Sequence, residues 1–188
     1  MEFRTFDIEG PLLVIPRKIE DSRGYFSEIF RLDALSERVR CVQFVQDNQS
    51  MSVQSGTIRG LHFQSDPAAQ GKLVRCLAGK LLDVAVDLRS DSPTYGRWIS
   101  VELTPEECNQ LWVPVGFAHG FCTLEPNTII SYRVTNYYSA DHDNGIAWDD
   151  PGVGVKWPDI ADPDTLSAKD RHQPSLSDLP RYLSMKDR

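Results

Sequence analysis

Apolar and polar residues alternate over short runs along most of the chain, and turn-forming residues separate these runs. In residues 82–88 the large apolar side chains alternate with aspartate and alanine, which is the period of a strand with one buried face. The same pattern predicts strands at residues 44–46, 57–59, 72–77, 81–88, 97–103, 110–113 and 128–138. Residues 78–80 contain the glycine of a hairpin turn between two of these strands.

Helical periodicity is rare by comparison. Residues 32–38 predict one short helix, and residues 104–107 predict a single capped turn. From residue 162 onward the chain is rich in proline, serine and aspartate, which predicts short helical turns at most. Evenly spaced strands with little helix predict an all-β sandwich or barrel. We expect a jelly roll, because this fold curls its edges inward and leaves a pocket at its mouth.

Size and charge narrow the class of protein. With 188 residues and no internal repeat or linker, the chain is expected to form one domain over residues 1–188. Its 40% hydrophobic and 25% charged residues are typical of a folded protein. A net charge of -7 argues against a general nucleic-acid binder, yet a few cations gathered in one pocket permit a small phosphorylated ligand. No stretch approaches the roughly 18 apolar residues of a membrane span.

The cysteines indicate the compartment. Cys41, Cys76, Cys108 and Cys122 have apolar neighbours and no CxxC spacing, which is typical of small buried thiols rather than a zinc knuckle or a thioredoxin-type site. The N-terminus lacks the basic region and apolar stretch of a secretory signal. We therefore expect a protein of the reducing cytoplasm.

Residues 57–64 hold the densest candidate chemistry, because a guanidinium, a histidine and an amide occur within one strand-like run. A histidine that follows a cation by three positions suits a base that acts on an anionic substrate, although a buried, hydrogen-bonded histidine is an equally good interpretation of this run alone. A regular strand predicts Ile58, Gly60 and His62 on one face, and Arg59, Leu61 and Phe63 on the other.

A catalytic imidazole needs a partner for its second nitrogen, usually a carboxylate. The candidates are Asp83, Asp87 and Asp170. Composition alone favours a capping or solvated acid for Asp170, since it lies in a polar stretch near the C-terminus. The choice among the three stays open at this point.

Three further residues are candidates for chemistry. Lys72 begins a predicted strand and can stabilise an oxyanion if it lies in a pocket. Tyr132 lies in an alternating strand, where a tyrosine usually packs but can also deliver a proton. His119 ends a Pro-x-Gly-x-x-His turn that partly matches the second motif of cupin barrels. The first cupin motif requires two histidines and a glutamate, whereas this chain has His62 and Gln64, so a tight metal site is not expected.

Two clusters of polar residues are further candidates for ligand binding. Residues 21–28 are typical of an exposed loop or hairpin, and residues 46–49 of a strand end rich in Asp and Asn. With Arg59, Lys72 and Lys169 they supply enough cations for a diphosphate and enough amides and acids for a sugar and a base.

Taken in order, these segments resemble the dTDP-4-dehydrorhamnose 3,5-epimerase family, the nucleotide-sugar epimerases of rhamnose biosynthesis. The resemblance covers the chain from about Arg23 to Asp170. The blocks that carry it are residues 21–26, 44–48, 59–64, 70–75, 83–89, 92–96, 110–114, 116–121, 137–138 and 166–170.

The resemblance implies a cupin homodimer that needs no cofactor and no metal and that acts on a dTDP-sugar. It implies His62 as a base held by Asp170, Tyr132 as the acid, and Lys72 near the keto oxygen. The substrate contacts that it implies are Arg23, Glu28, Gln46, Asp47, Asn48, Arg59, His119, Tyr138, Asp143 and Lys169. In such dimers the segment with Arg23 and Glu28 reaches into the partner's site. Family members often have glutamate where this chain has Asp143.

Four other functions remain open. A monofunctional 3- or 5-epimerase of a deoxysugar pathway would use the same residues. A nucleotide-sugar 3,4-ketoisomerase is a weaker candidate, because such chains tend to lack the stretch at residues 166–170. A metal-dependent cupin dioxygenase would need the histidine pair that the chain lacks, and a non-catalytic sugar-binding cupin would not exchange substrate hydrogens with solvent.

Overall fold

The computed structural model describes residues 1–40 and 42–180. Its strands are β1 (Glu2–Thr5), β2 (Leu12–Ile15), β3 (Lys18–Asp21), β4 (Gly24–Ser27), β5 (Gln46–Ser52), β6 (Ile58–Gln64), β7 (Lys72–Ala78), β8 (Leu81–Asp87), β9 (Trp98–Leu103), β10 (Gln110–Val113), β11 (Phe117–Thr123), β12 (Thr128–Val134) and β13 (Asp143–Gly145). The helix α1 spans Leu32–Ser36, and single 3-10 turns span Ala140–His142, Pro163–Thr165, Asp170–His172 and Leu176–Asp178.

Strands β5 to β12 form a jelly roll. They divide between two antiparallel sheets, in the orders β5-β12-β7-β10 and β6-β11-β8-β9, which is the double Greek key of that fold. Strands β2 and β1 extend the first sheet beyond β10, and β13 extends the second beyond β6. The predicted all-β jelly-roll class is confirmed.

The main core lies between the two sheets, where apolar residues from both pack together. Val74 and Ile130 come from the six-stranded sheet, and Ala85 and Phe121 come from the five-stranded sheet. Side chains two positions apart in a strand share a face, so residues two positions along from a core residue also face the interior. Near the open end of the barrel these inward-facing residues are polar. The core therefore becomes a polar cavity at that end.

Strand β8 is buried on both faces, so the prediction of a half-buried strand at residues 82–88 is wrong. Val84 and Val86 pack on the outside of the sheet against Leu176 and other apolar residues of the C-terminal region. Asp83 and Asp87 face the interior and are fully buried. The alternation of apolar and acidic residues arises here because buried partners neutralise the aspartates, not because one face meets water.

Four of the seven predicted strands have limits within one residue of those observed, and three differ more. The strand predicted at 57–59 is only the start of β6, which continues to Gln64. Residue Phe44 does not begin a strand; its ring instead packs edge-on against Trp112 at 6.1 Å, and β5 starts at Gln46. Strand β12 ends at Val134, and residues 135–138 form a loop. Helix α1 is shorter than predicted. The expected capped turn is present, with the Glu107 backbone N–H donating to the Thr104 hydroxyl at 3.1 Å.

Strands β3 and β4 form the hairpin expected near residues 21–28. The Lys18 ammonium donates to the Glu106 carbonyl, which attaches the hairpin to the rest of the chain. Ile19 and Phe26 project from it and are 58% and 68% exposed. An exposed apolar hairpin of this kind is typical of an interaction surface.

An extra residue in β6 changes which side chains face the interior. His62 pairs with His119 of β11, but Arg59 pairs with Phe121, so three steps along β6 match two along β11. This is a β-bulge, and Gly60 absorbs it with a φ of +116. Arg59 and His62 consequently line the same cavity. The predicted separation of Arg59 and His62 onto opposite faces is wrong, because it assumed a regular strand.

Three of the four cysteines lie in the described residues, where they are free thiols; Cys41 lies outside them. Burial raises the pKa of Cys76 and that of Cys122 to about 11. Among the described residues, no helix has the length and apolar character needed to cross a membrane.

Candidate active site

Two adjoining cavities open at the mouth of the barrel, and His62, Lys72 and Tyr132 line both. The inner cavity has a volume of about 250 Å³ and is completed by Ser50, Arg59, His119, Phe121, Ile130, Ser167 and Asp170. The outer cavity has a volume of about 340 Å³ and is completed by Gln46, Asn48, Phe63, Gln64, Gln70, Tyr138 and Asp143. The three shared side chains therefore stand where the cavities meet.

The two walls of the inner cavity come from different sheets. His62 and His119 are cross-strand partners on β6 and β11 of the five-stranded sheet. Lys72 and Tyr132 belong to β7 and β12, which are neighbours in the six-stranded sheet. A molecule held in this cavity would meet an imidazole on one side and a phenol on the other.

The imidazole of His62 is held by Asp170, 108 residues further along the chain. Nε2 of His62 hydrogen-bonds to Oδ1 of Asp170, and the Asp170 side chain is only 4% exposed. Burial acts to raise the pKa of Asp170, but hydrogen bonds from His62, Ser167 and the Gly60 backbone outweigh it and hold that pKa below its ordinary value. An ionised carboxylate can only accept, so Nε2 carries the hydrogen and Nδ1 is the free nitrogen.

Lys72 and Arg59 are both cations that line the inner cavity. The Lys72 ammonium lies 3.5 Å from the backbone oxygen of His62, to which it donates. Burial lowers the pKa of Lys72 to about 8, while the nearby carboxylates Asp143 and Asp83 oppose this shift. The ammonium form therefore still predominates at neutral pH.

Tyr132 retains its phenolic hydrogen at neutral pH. Burial raises the pKa of Tyr132 above its ordinary value, and the charge of Asp143 adds to the rise, while that of Arg59 acts against it.

The Arg59 side chain is held in place by β5, since it donates to the Ser52 hydroxyl at 3.1 Å and to the Met51 carbonyl at 3.2 Å. A guanidinium held in this way can contact an anionic group of a ligand.

The outer cavity carries amide, phenol and carboxylate groups. Gln46 donates to Asn48 at 2.7 Å, and its own oxygen accepts from the Tyr138 backbone at 3.2 Å. The Tyr138 hydroxyl donates to Asp143 at 3.1 Å, which raises the pKa of that phenol. Lys169 forms an ion pair of 2.5 Å with Asp143.

Gln64 anchors the loop that carries Tyr138. Its amide nitrogen donates to the carbonyl of Ala68 at 2.6 Å and to that of Tyr137 at 3.1 Å. Its amide oxygen accepts from the Ser139 backbone at 2.7 Å. Gln64 stands where a cupin has a metal ligand. Its amide here bonds instead to the backbone on either side of Tyr138.

Four of the predicted contact residues do not line either cavity. Lys169 is one of them, but it pairs with Asp143, which lines the outer cavity. The other three are further from it. Asp47 points to the other face of β5, where it pairs with Arg133 at 3.3 Å. The Arg23 side chain is 87% exposed on the β3–β4 hairpin and pairs with Asp21. Glu28 follows that hairpin and is 3.9 Å from Arg31. Within one chain these groups are separate from the site.

The structure also resolves the choice of carboxylate for His62. Asp83 pairs instead with His119 at 2.7 Å, and Asp87 pairs with Arg89 at 2.8 Å. Asp170 is the partner of His62, and the expectation from composition that Asp170 is a solvated or capping acid is wrong. A hydrogen bond across 108 residues leaves no local pattern that composition could detect.

Several residues that line the inner cavity were not predicted. Ser50, Phe121 and Ile130 each lie two positions from a residue that was, namely Asn48, His119 and Tyr132. Side chains two apart share a face of a strand, so the period of the strand contained this signal. Ser167 gave no comparable signal, because it lies in a loop.

A metal site finds little support in the donor geometry. In the described part of the chain no three His, Cys, Asp or Glu residues are grouped as metal ligands would be. Nε2 of His62 and Nε2 of His119 each bond to a carboxylate, and the Gln64 amide bonds to backbone groups. The Gln64 amide is therefore occupied, and the two free Nδ1 atoms are fewer than the ligands that a tight transition-metal site requires.

Comparison with known proteins gives two kinds of likeness. A profile described as dTDP-4-dehydrorhamnose 3,5-epimerase matches residues 5–178. The dTDP-4-dehydrorhamnose 3,5-epimerase of Sinorhizobium fredii is 57% identical over 180 residues, which cover 96% of this chain and 92% of that protein.

Two solved structures are also similar to this chain in fold and sequence. The dTDP-4-dehydrorhamnose 3,5-epimerase of Bacillus anthracis, with TDP and PPi bound, has a TM-score of 0.88 and 46% identity over 93% of this chain and 98% of that one. The dTDP-6-deoxy-D-glucose-3,5-epimerase of Legionella pneumophila, in complex with dTDP-4-keto-L-rhamnose, has a TM-score of 0.90 and 37% identity over 97% of each chain.

The jelly roll and these likenesses together define an isomerase of the cupin type. Within that class, the chain belongs to the dTDP-4-dehydrorhamnose 3,5-epimerase family, because the family profile spans nearly all of it.

Proposed function

We propose that the protein inverts C3 and C5 of dTDP-4-dehydro-6-deoxy-D-glucose, giving dTDP-4-dehydro-L-rhamnose for dTDP-L-rhamnose biosynthesis. The observation that carries this proposal is the placement of His62 and Tyr132 on opposite walls of one cavity that also holds Lys72. Inversion next to a ketone needs a base on one face of the sugar ring and an acid on the other.

His62 is the proposed base. The C4 ketone makes the hydrogens on C3 and C5 acidic, and the free Nδ1 of His62 removes one of them. Asp170 fixes the imidazole through Nε2 and stabilises the imidazolium that forms. The low pKa of Asp170 keeps this carboxylate ionised while the ring gains its proton.

Lys72 is the proposed stabiliser of the enolate. Negative charge develops on the C4 oxygen as the carbon loses its hydrogen, so a cation aimed at that oxygen lowers the barrier more than it strengthens ground-state binding. The Lys72 ammonium suits this role because it lies in the same cavity as His62 and is charged at neutral pH.

Tyr132 is the proposed acid. Its phenol keeps its hydrogen because burial raises its pKa, and it lies on the wall opposite His62. Protonation from that side places the hydrogen on the other face of the ring and completes the inversion. After the imidazolium gives its proton to solvent and the phenolate regains one, the same cycle at the second carbon inverts that centre as well.

The outer cavity is the proposed site of the nucleotide. Gln46 and Asn48 offer amides to the thymine, and the exposed ring of Tyr138 can stack on it. Arg59 and Lys169 supply cations for the diphosphate, while His119 faces the hexose from the inner cavity. Asp143 contributes a carboxylate beside Tyr138.

We infer further that residues 1–188 act as one domain of a cytoplasmic homodimer in which Arg23 and Glu28 complete the partner's nucleotide site. The exposed hairpin with its apolar residues Ile19 and Phe26 supports this arrangement, as does its separation from the cavities of its own chain. The free thiols fit a reducing compartment.

The test is an incubation of the purified protein with dTDP-4-dehydro-6-deoxy-D-glucose in heavy water, followed by NMR of the product. We expect deuterium at both C3 and C5 and the L-rhamno configuration. Deuterium and inversion at one carbon alone would replace the proposal with a monofunctional epimerase. No deuterium at either carbon would leave a sugar-binding role, and loss of activity in a chelator would point to a metal-dependent enzyme.

A further inference from the structure

Asp83 is a buried acid to which the proposed mechanism gives no step, although its charge favours the ammonium form of Lys72. It lies on β8 with no exposed surface, and its Oδ1 accepts a hydrogen bond from Nε2 of His119 at 2.7 Å. Its second oxygen, Oδ2, is buried and has no hydrogen-bond partner among the described residues. An unsatisfied buried carboxylate oxygen is costly, so its presence calls for an explanation beyond packing.

An amide would satisfy a purely structural role at least as well. Asparagine has the shape of aspartate and can accept the same hydrogen bond, without leaving a charged oxygen in the interior. Aspartate differs in that an ionised carboxylate only accepts. It therefore admits one arrangement of His119, with the hydrogen on Nε2, whereas an amide can also donate and so permits the other arrangement.

The other ring nitrogen of His119 is the one left for a ligand. No described residue forms a hydrogen bond with Nδ1 of His119, and the side chain lines the inner cavity beside His62 and Lys72. With the hydrogen on Nε2, Nδ1 is an acceptor. Carbonyl and phosphate oxygens cannot donate to it, whereas the hydroxyl groups of a hexose can.

We propose that Asp83 is a positioning residue of this active site, which fixes His119 so that Nδ1 accepts a hydrogen bond from a hydroxyl group of the bound hexose. The identity of the hexose as part of a dTDP-sugar rests on the proposed function. The arrangement parallels that of His62 and Asp170, since in both pairs a buried carboxylate holds Nε2 of a histidine that faces the cavity.

The first experiment measures the position of the histidine hydrogen in the unmodified protein. The chain has four histidines, which can be labelled with 15N and assigned by single substitutions. We expect His119 to carry its hydrogen on Nε2 with Nδ1 unprotonated. Addition of dTDP-glucose, which brings hexose hydroxyls, should shift the Nδ1 resonance, whereas dTDP alone should not. A hydrogen on Nδ1, or equal shifts with both ligands, would overturn the proposal.

The second experiment compares two buried acids of the same strand. The assay is run at about pH 6.5, where Lys72 stays protonated even without the Asp83 charge that favours its ammonium form. In Asp83→Asn, we expect a population with the hydrogen on Nδ1, a KM for the dTDP-keto sugar about 10- to 100-fold higher, and a much smaller change in kcat. Affinity for dTDP alone should stay the same, because dTDP lacks the hexose to which His119 is assigned.

Asp87→Asn is the matched control, since Asp87 is equally buried on β8 but pairs with Arg89 away from the cavities. It should lower stability without changing the His119 resonances or KM. A normal KM in folded Asp83→Asn, or an equal rise in KM in both variants, would refute the positioning role. If the unmodified protein turned over no dTDP-keto sugar, the proposed function would fail, while the resonances of His119 would still test the assignment of its hydrogen.

Discussion

His62 and Tyr132 line one cavity from two different sheets of the jelly roll, on β6 and β12 respectively. The two sheets are held apart by the core, so the two side chains cannot shift toward the same face of a ligand without disrupting the barrel. The geometry that inversion requires is therefore a property of the fold as much as of the residues.

His62→Asn should lower kcat by a factor between about 10² and 10⁴, because it removes the proposed base while retaining a polar side chain. Asp170→Asn should have a smaller effect of about 10- to 100-fold, since the imidazole remains but loses its fixed orientation. Both are measured as initial rates of deuterium uptake. His172→Asn is the control, because His172 is exposed and bonds to the Ala168 carbonyl. Full activity in His62→Asn would remove the histidine from its role.

Tyr132→Phe should separate exchange from inversion. Without the phenol, His62 can still remove a hydrogen and return a deuterium to the same face, so uptake of deuterium should persist better than formation of the inverted sugar. NMR of the recovered sugar measures both quantities in one sample. If the two rates fell by the same factor, Tyr132 would not be the facial acid.

Activity should fall above about pH 8, because Lys72 then loses the charge that stabilises the enolate.

The contribution of Lys72 to folding stability should change in the opposite direction. The pKa of Lys72 is about 8 in the fold and 10.5 as an ordinary side chain, so between these values the unfolded chain binds more protons, and this residue's contribution to the free energy of unfolding rises with pH.

Thermal unfolding of the native protein and of Lys72→Met, measured from pH 7 to pH 10.5, tests this assignment. The variant should lack the part of the rise that the lysine contributes. Lys80→Met is the control, because Lys80 pairs with Glu102 on the surface at 2.5 Å and lies outside the cavities. A pH–rate profile without a decline near pH 8 would contradict the role of Lys72.

Gly60→Ala should destabilise the protein by about 3 kcal/mol and disturb the site. Gly60 has a φ of +116, and an added Cβ would approach the Gly120 Cα to 2.6 Å and the His119 carbonyl to 2.7 Å. Gly24→Ala has a similar φ of +127 with open space around it, so it should cost only about 1 kcal/mol. Urea unfolding of both variants compares them, and equal losses would mean that the close approach at the bulge is unimportant.

Mixing two inactive or impaired variants should restore activity if Arg23 acts across the dimer. In a heterodimer of His62→Asn and Arg23→Ala chains, one site combines a native His62 with the native Arg23 of the other chain. Subunit exchange should therefore raise the rate above that of either parent. A mixture no more active than the average of its parents would show that Arg23 serves its own chain.

The barrel could be predicted from the sequence because its strands follow a period of two and are separated by turn residues. The faces of β6 were predicted wrongly, because one bulge reverses the parity of every residue beyond it. Gly60, a glycine inside a strand pattern, was the local signal for that bulge. The burial of strand β8 was also predicted wrongly. Buried aspartates that have partners produce the same alternation of apolar and acidic residues as a strand with one face in solvent.

The residues of the candidate site also divide into those that the sequence could predict and those that it could not. Residues within strands, such as His62, Lys72 and Tyr132, could be proposed from local sequence and resemblance. The pairing of Asp83 with His119 and of Asp170 with His62 depends on which strands and turns become neighbours, and that information resides in the packing of the whole chain. The outward direction of Asp47 follows from the pleat of β5, once the start of that strand is known.

The long separation between His62 and Asp170 has a consequence for synthesis of the protein. All eight jelly-roll strands precede the turn that carries Asp170, so a ribosome makes the barrel before it makes the acid that steadies the imidazole. The strands of the barrel are therefore synthesised while the histidine at its mouth still lacks its hydrogen-bond partner. The orientation of the proposed base is fixed only once residue 170 has been made.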